Sequence, residues 1–352
     1  MKPPNEKQAV SLIAELLADL FGSSPMVVHV DHVGNTAQYD YSISVADRRF
    51  IAEYKSNSSA GSVDAAIKGL QRFAESHPDA GLPLVVVPFM GEVGRQICEQ
   101  SQVSWLDLCG NAKIVAPGLR IWVELRPNKF TDRGRPPNVF APKSSRIARQ
   151  CLLDPERFQA QVELARRTGL DDGYVSKIVR RLKQENYLDA NEEGAVRPRD
   201  PNLLLDAWRD SYDFSHHQII KGHVPARSGE HLLQQIASAL SQENLEWGAT
   251  GLGAAWLYSG FATFRIATVY LSSMPPQSLL KEMAFSEELQ GANLWLVLPD
   301  DDGVFHGGQV REGIRCVSPL QTYLDLKGHP ERAAEAAAEL RQKFLKWEQH
   351  AT

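Results

Sequence analysis

The sequence predicts an α/β multidomain protein, with two α/β layers on either side of a small helical module. Three observations lead there. The chain has 352 residues, more than one ordinary hydrophobic core organises. Apolar runs of strand length alternate with segments of helical period towards both ends. The charge is also unevenly spread. A net −5 conceals residues 126–183, a local +8, between flanks of −4 and −9. A basic middle between acidic flanks is the composition of a polyanion-binding module set in a larger protein.

Several classes are not expected. No window holds the roughly eighteen apolar residues of a membrane span. The beginning, "MKPPNEKQAVSLIAELL", lacks the basic region, clean apolar stretch and cleavage site of a signal peptide. Cys98, Cys109, Cys151 and Cys316 are far apart and form no CxxC, which suits reduced thiols in a cytoplasmic protein.

The first α/β layer covers residues 1–125. Val10, Ile13, Leu16, Leu17 and Leu20 repeat at helical spacing and mark an amphipathic first helix. "YDYSISV" and "RRFIAEY" are extended runs around a polar turn at Ala46-Asp47. "SVDAAIKGLQRFAES" is helical again, and "LPLVVVPFM" is the unbroken apolar run of a strand buried on both faces. "EVGRQICEQ" reads as a helix, and "VSWLDLC" and "AKIVA" as further strands.

A tight turn centred on Asp47-Arg48 makes the two extended runs a hairpin. Pairing Ala46 with Arg49 sets Asp40 opposite Lys55, on the face that Glu53 shares with Lys55. Mg²⁺ is commonly held by one or two carboxylates, and a lysine beside them can stabilise charge on a phosphate under attack. Asp40 and Glu53 are therefore candidate metal ligands for Mg²⁺ or Mn²⁺, and Lys55 the candidate catalytic cation. Asp40, twelve residues, then Glu53-Tyr54-Lys55 resembles the PD-(D/E)XK nuclease superfamily, which implies a restriction-endonuclease-like domain. In related nucleases a Gln or Lys on the following helix assists, which makes Gln71 and Lys68 candidates here; no cofactor is expected if the site is inactive.

"RPNKFTDRGRPPNVFAPKSS" has no apolar period and reads as a basic linker, residues 126–141. Its Arg133 and Arg135 match the core of an AT-hook, whose arginines enter A·T minor grooves. Residues 142–200 follow a different plan. "SSRIARQCLL" is a first helix, "VELARRT" a second that ends at Gly169, and Asp171 caps a third. In the third, Val175, Ile178, Val179 and Leu182 form the apolar stripe, and Tyr174, Lys177, Arg180, Arg181 and Gln184 lie at its edge or opposite. "YLDANEEGAVRPR" supplies two short strands around Glu193-Gly194. Helix, Gly-containing turn, helix and wing resemble a bacterial winged helix-turn-helix, whose last helix enters the major groove. Lys143 and Arg146 on the first helix are further candidate DNA contacts.

Residues 201–352 form the second α/β layer, with strands in "HQIIKGHV", "FRIATVYL" and "NLWLVLP" and a closing alanine-rich helix. "WGATGLGAAWLYSG" matches no phosphate-binding fingerprint and reads as helix packing through small residues, and Asp300-Asp301-Asp302 as a solvated turn. Together with "CVSPLQTYLDLKGHPERAAEAAAELR", that glycine-rich stretch resembles the C-terminal domain of AbiEi-family antitoxins of type IV toxin–antitoxin systems. The resemblance implies autorepression, with double-stranded DNA and a cognate toxin as partners, and a homodimer is expected because two-fold dimers are usual for such DNA readers. Two expectations follow: a Mg²⁺-dependent DNA endonuclease delivered by a winged helix, or a non-catalytic autorepressor that uses the nuclease fold as a DNA-contact or dimerisation scaffold.

Overall fold

In the computed structural model, residues 2–29, 39–124, 126–130, 138–261, 263–288 and 290–348 are described. Mixed α/β structure runs through them, as expected. By compactness the chain divides into two units, residues 1–138 with 180–189 and residues 139–179 with 190–352. Residues 142–200 are thus shared between the two.

The first unit is a seven-stranded sheet between helical layers. Helix α1 (Glu6–Phe21) starts at Asn5, which caps it reciprocally with Gln8. The strands are β1 (Met26–His29), β2 (Tyr41–Val45), β3 (Arg48–Tyr54), β4 (Leu82–Val87), β5 (Ser104–Asp107), β6 (Ala112–Ala116) and β7 (Leu119–Val123), adjacent in chain order. β3, β4 and β5 run parallel through α2 (Ala60–Ser76) and α3 (Glu92–Gln100), and all other pairs are antiparallel. One face packs Phe50, Ala52, Tyr54, Leu84 and Val86 against Ile13 and Leu17 of α1. The other packs Ile51, Val85, Val87 and Trp105 against Val63, Ile67 and Leu70 of α2. Burial on both faces is why β4 is apolar without alternation.

The hairpin register differs from the sequence expectation. Val45 pairs with Arg48 and Tyr41 with Ala52, two residues away from the pairing that would set Asp40 opposite Lys55. Ala46 and Asp47 both have positive φ, +47° and +58°, so they alone form the two-residue turn. The amide of Asp40 also bonds to Ala52 O, the residue already paired with Tyr41. The ladder therefore holds one extra residue there, as in a β-bulge.

Next along the chain are α4 (Pro142–Leu153), α5 (Gln161–Thr168) and α6 (Asp172–Gln184), then the short pair β8 (Leu188–Ala190) and β9 (Val196–Pro198). The sharp turn after α5 depends on Gly169, which has φ +67° and donates its N–H to Ala165 O. Asp171 begins α6 by accepting the Tyr174 N–H at 2.8 Å.

The rest of the second unit contains α7 (Pro201–Ser211), α8 (Gly229–Leu240), α9 (Gly251–Ser259), α10 (Gln277–Glu282), α11 (Pro319–Asp325) and α12 (Ala333–Phe344). Its strands are β10 (Gln218–His223), β11 (Trp247–Thr250), β12 (Ala267–Leu271), β13 (Ser286–Glu287), β14 (Leu294–Leu298), β15 (Gln309–Arg311) and β16 (Ile314–Cys316). Their order is β13-β10-β14-β12-β11-β16-β15, with β12/β14 and β11/β16 parallel. The glycine-rich stretch is β11 followed by α9, a helix buried nearly all round under α11 and α12.

Candidate functional site

The candidate residues Asp40, Glu53 and Lys55 lie just before β2, near the end of β3 and just after it. Glu53 is half-buried and Lys55 follows the strand, where its N–H donates to Val86 O on β4. The Lys55 ammonium donates to Glu53 Oε1, an ion pair whose side chains are 35% and 14% exposed. Asp40 is buried, and its Oδ2 accepts the backbone N–H of Tyr54 at 2.8 Å. A carboxylate is thereby fixed at the backbone of the residue between Glu53 and Lys55. The bulge re-aims the chain at Asp40, which is what an extra residue in a ladder does.

Two carboxylates give an all-oxygen donor set, which fits a hard cation such as Mg²⁺ with water completing its shell. Among the described residues no three His, Cys, Asp or Glu gather closely enough to hold a metal. Among the described residues, Asp40 and Glu53 are thus at most a pair of carboxylate donors at this corner. Gln71 does not join them: its Nε2 donates to Ser101 O at 3.0 Å and ties α2 to the end of α3. Lys68 pairs with Asp64 one turn away.

The second candidate surface is α6. Val175, Ile178, Val179 and Leu182 are buried, whereas Gly173, Lys177, Arg180 and Gln184 are exposed. Tyr174 is half-buried; its hydroxyl shares a 2.7 Å hydrogen bond with Ser144 and the Lys143 ammonium sits over its ring. Arg181 is partly committed, donating from Nε to Glu185 Oε1 at 2.5 Å. Burial raises the Glu185 carboxyl pKa and the Arg181 guanidinium opposes that rise. Ser59 Oγ donates to Glu185 O, and a Cβ on Gly61 would collide with that same oxygen. The absence of a side chain at Gly61 is what lets the two backbones meet.

Arg146 departs from the expected DNA contacts. It makes a bidentate pair with Asp301, at 2.7 and 2.9 Å, and donates to Thr168 O. Asp301 is accordingly not a solvated turn residue; it also caps the short 3-10 turn that follows it. The AT-hook-like Arg133 and Arg135 lie outside the described residues.

Sequence reasoning missed a buried polar cluster in the second unit. Asp325 is fully buried at the end of α11. Its Oδ1 accepts from Tyr212 Oη at 2.5 Å, Gln321 Nε2 at 2.6 Å and Tyr270 Oη at 3.0 Å, and its Oδ2 from Thr250 Oγ1. Gln321 Oε1 in turn accepts from Arg149 Nη2 at 2.6 Å. Burial pushes the Asp325 pKa up to about 6 against those four hydrogen bonds, and lowers that of Arg149. The members come from α4, α11, two strands and a loop, so no local spacing joins them. A lone arginine inside the apolar stripe of α4 was the one available signal.

No protein-family model, curated protein or solved structure matches this chain. Among the described residues no helix is long and apolar enough to cross a membrane.

Proposed function

We propose that the chain is a DNA-binding protein of winged helix-turn-helix type carrying a PD-(D/E)XK nuclease-like domain. The observation that carries the reading is α6: one buried apolar stripe, a glycine-made turn before it, a two-stranded wing after it, and Lys177, Arg180 and Gln184 exposed together. Lysine and arginine there attract phosphates and can reach guanine edges, and glutamine suits adenine.

Cleavage is supported by the strand-end corner. Asp40 and Glu53 are the oxygen ligands, and a bound Mg²⁺ supplies acidified water and charge neutralisation at a phosphate. Lys55, held beside Glu53, is placed to stabilise the developing negative charge. The order α1, three antiparallel strands, α2, β4 agrees with the resemblance that the Asp40…Glu53-Tyr54-Lys55 spacing carries. The second reading is a cytoplasmic autorepressor of antitoxin type, dimeric and partnered by a toxin, with an inactive nuclease fold. It draws on the tight Glu53–Lys55 pair, which a metal would have to loosen.

One titration separates them. Duplex containing the gene's own upstream region is incubated with the protein in Mg²⁺ or Mn²⁺, and both binding and cutting are followed. Lys177→Ala should weaken binding and reduce the slope of log K against log salt by about one. Glu53→Ala should bind normally and cut at least about a hundredfold more slowly. Binding unaffected by Lys177→Ala rejects the winged-helix reading; intact binding without any cutting leaves the autorepressor.

A further inference from the structure

The first unit holds a cleft of about 850 Å³ to which neither Asp40, Glu53 nor Lys55 contributes. It opens where β3 and β4 end, between the loops Ser56–Ser58 and Pro88–Phe89 and the start of α1. β3 and β4 are parallel neighbours, and crevices beyond the carboxyl ends of such strands are where open α/β sheets bind ligands.

Four amide side chains line it: Asn5, Gln8, Asn57 and Asn128. In each the oxygen is already taken by a nearby backbone N–H. Asn5 Oδ1 accepts from Gln8 N, Gln8 Oε1 from Asn5 N, Asn57 Oδ1 from Ser59 N, and Asn128 Oδ1 from Phe130 N. Those bonds assign the amide orientations and leave the nitrogen of each, a donor of two hydrogens, for a ligand. Lys2 adds positive charge, Arg181 a guanidinium whose Nε is held by Glu185, and Phe89 and Phe130 aromatic surface. No carboxylate is among the described residues that line the cleft. Such a wall selects a ligand that is rich in acceptors, negatively charged and flat in part.

We propose that this cleft binds a nucleotide, with its phosphate met by the amide nitrogens and cations and its base against the two phenylalanines. Single strands are held in this manner, by positive charge along the backbone and aromatic stacking of bases. The nucleotide can be free or part of a frayed or single-stranded segment. Only the second source rests on the DNA-binding reading above.

Two substitutions, Asn57→Asp and Asn128→Asp, test it without disturbing the fold. An aspartate at either position keeps the acceptor oxygen that closes the turn, so each change converts a donor to an anion and alters nothing else. Binding of a fluorescent single-stranded dT 12-mer, a 12-bp duplex and free dTMP is measured on the full chain. The double variant should lose about tenfold or more in affinity for the 12-mer, since each donor lost is worth up to about a factor of ten. Its melting temperature and duplex affinity should stay those of the wild type. Loss of dTMP binding in the same variant assigns the site to free nucleotide; loss of 12-mer binding alone assigns it to a strand. Unchanged affinity for both ligands overturns the proposal, as does a parallel fall for duplex or a wild-type chain that binds neither ligand. Failure of Lys177→Ala to affect duplex would sink the winged-helix reading and leave this result standing.

Discussion

Glu53 and Asp325 are both carboxylates held by short hydrogen bonds, and their surroundings set them apart. Glu53 faces a partly exposed lysine two residues on, at a strand end that solvent reaches. Asp325 lies fully buried among two tyrosines, a threonine and a glutamine, and Arg149 connects to it through Gln321. A carboxylate saturated by neutral donors away from water has no room for a metal or a substrate. It specifies packing, and it does so at the cost of desolvation. A carboxylate beside a partly exposed cation can exchange that partner. The buried cluster is therefore structural despite its displaced pKa, whereas the partly exposed Glu53–Lys55 pair stays exchangeable.

Stability measurements can break that contrast. The largest effect is expected from Asp325→Ala, which strands three hydroxyls and leaves Arg149 without its compensating charge. Denaturant unfolding of the full chain should show the transition of the second unit lowered by about 3–5 kcal/mol. A loss under about 1 kcal/mol would mean that the cluster carries little of the fold.

A smaller effect is expected from pH. The Asp325 carboxyl keeps its proton up to about pH 6 when folded, whereas an unfolded aspartate releases it near about 3.9. Protonation thus favours the folded chain. This contribution is complete below about pH 4 and is lost as pH rises through about 6, by about 3 kcal/mol in all. Asp325→Asn should flatten the slope between those values; an unchanged slope assigns it to other groups. The smallest effect is expected at the strand end. Lys55→Ala removes an ion pair in contact with water and should change stability by less than about 1 kcal/mol, even where it abolishes cutting. A loss as large as that of Asp325→Ala would erase the distinction.

Strong periodicity made most elements of the first unit legible; the face of α6 follows it residue by residue, and that of α1 at Ile13 and Leu17, with Val10, Leu16 and Leu20 only partly buried. The hairpin was legible except in register. Its turn lies one residue earlier than expected, because Ala46 and Asp47 both accept the left-handed conformation without a glycine to announce it. The strands β1 and β7 escaped notice; both lie at the edges of the sheet, and no residue of β7 is fully buried, so no apolar run marks it. Gln71 had the right spacing on a helix whose rotation only packing decides. Arg146 and Asp301 stand 155 positions apart, beyond any local pattern.

Gly61 sits near the start of a helix that follows the strand of Glu53, and a survey of sequence variants would file it with that helix. Yet the atoms a new methyl group would strike are the Glu185 and Asn186 backbone just past the end of α6. A variant at this position would report first on how the end of that distant helix is seated. The change and the backbone it would disturb lie some hundred and twenty residues apart in the chain.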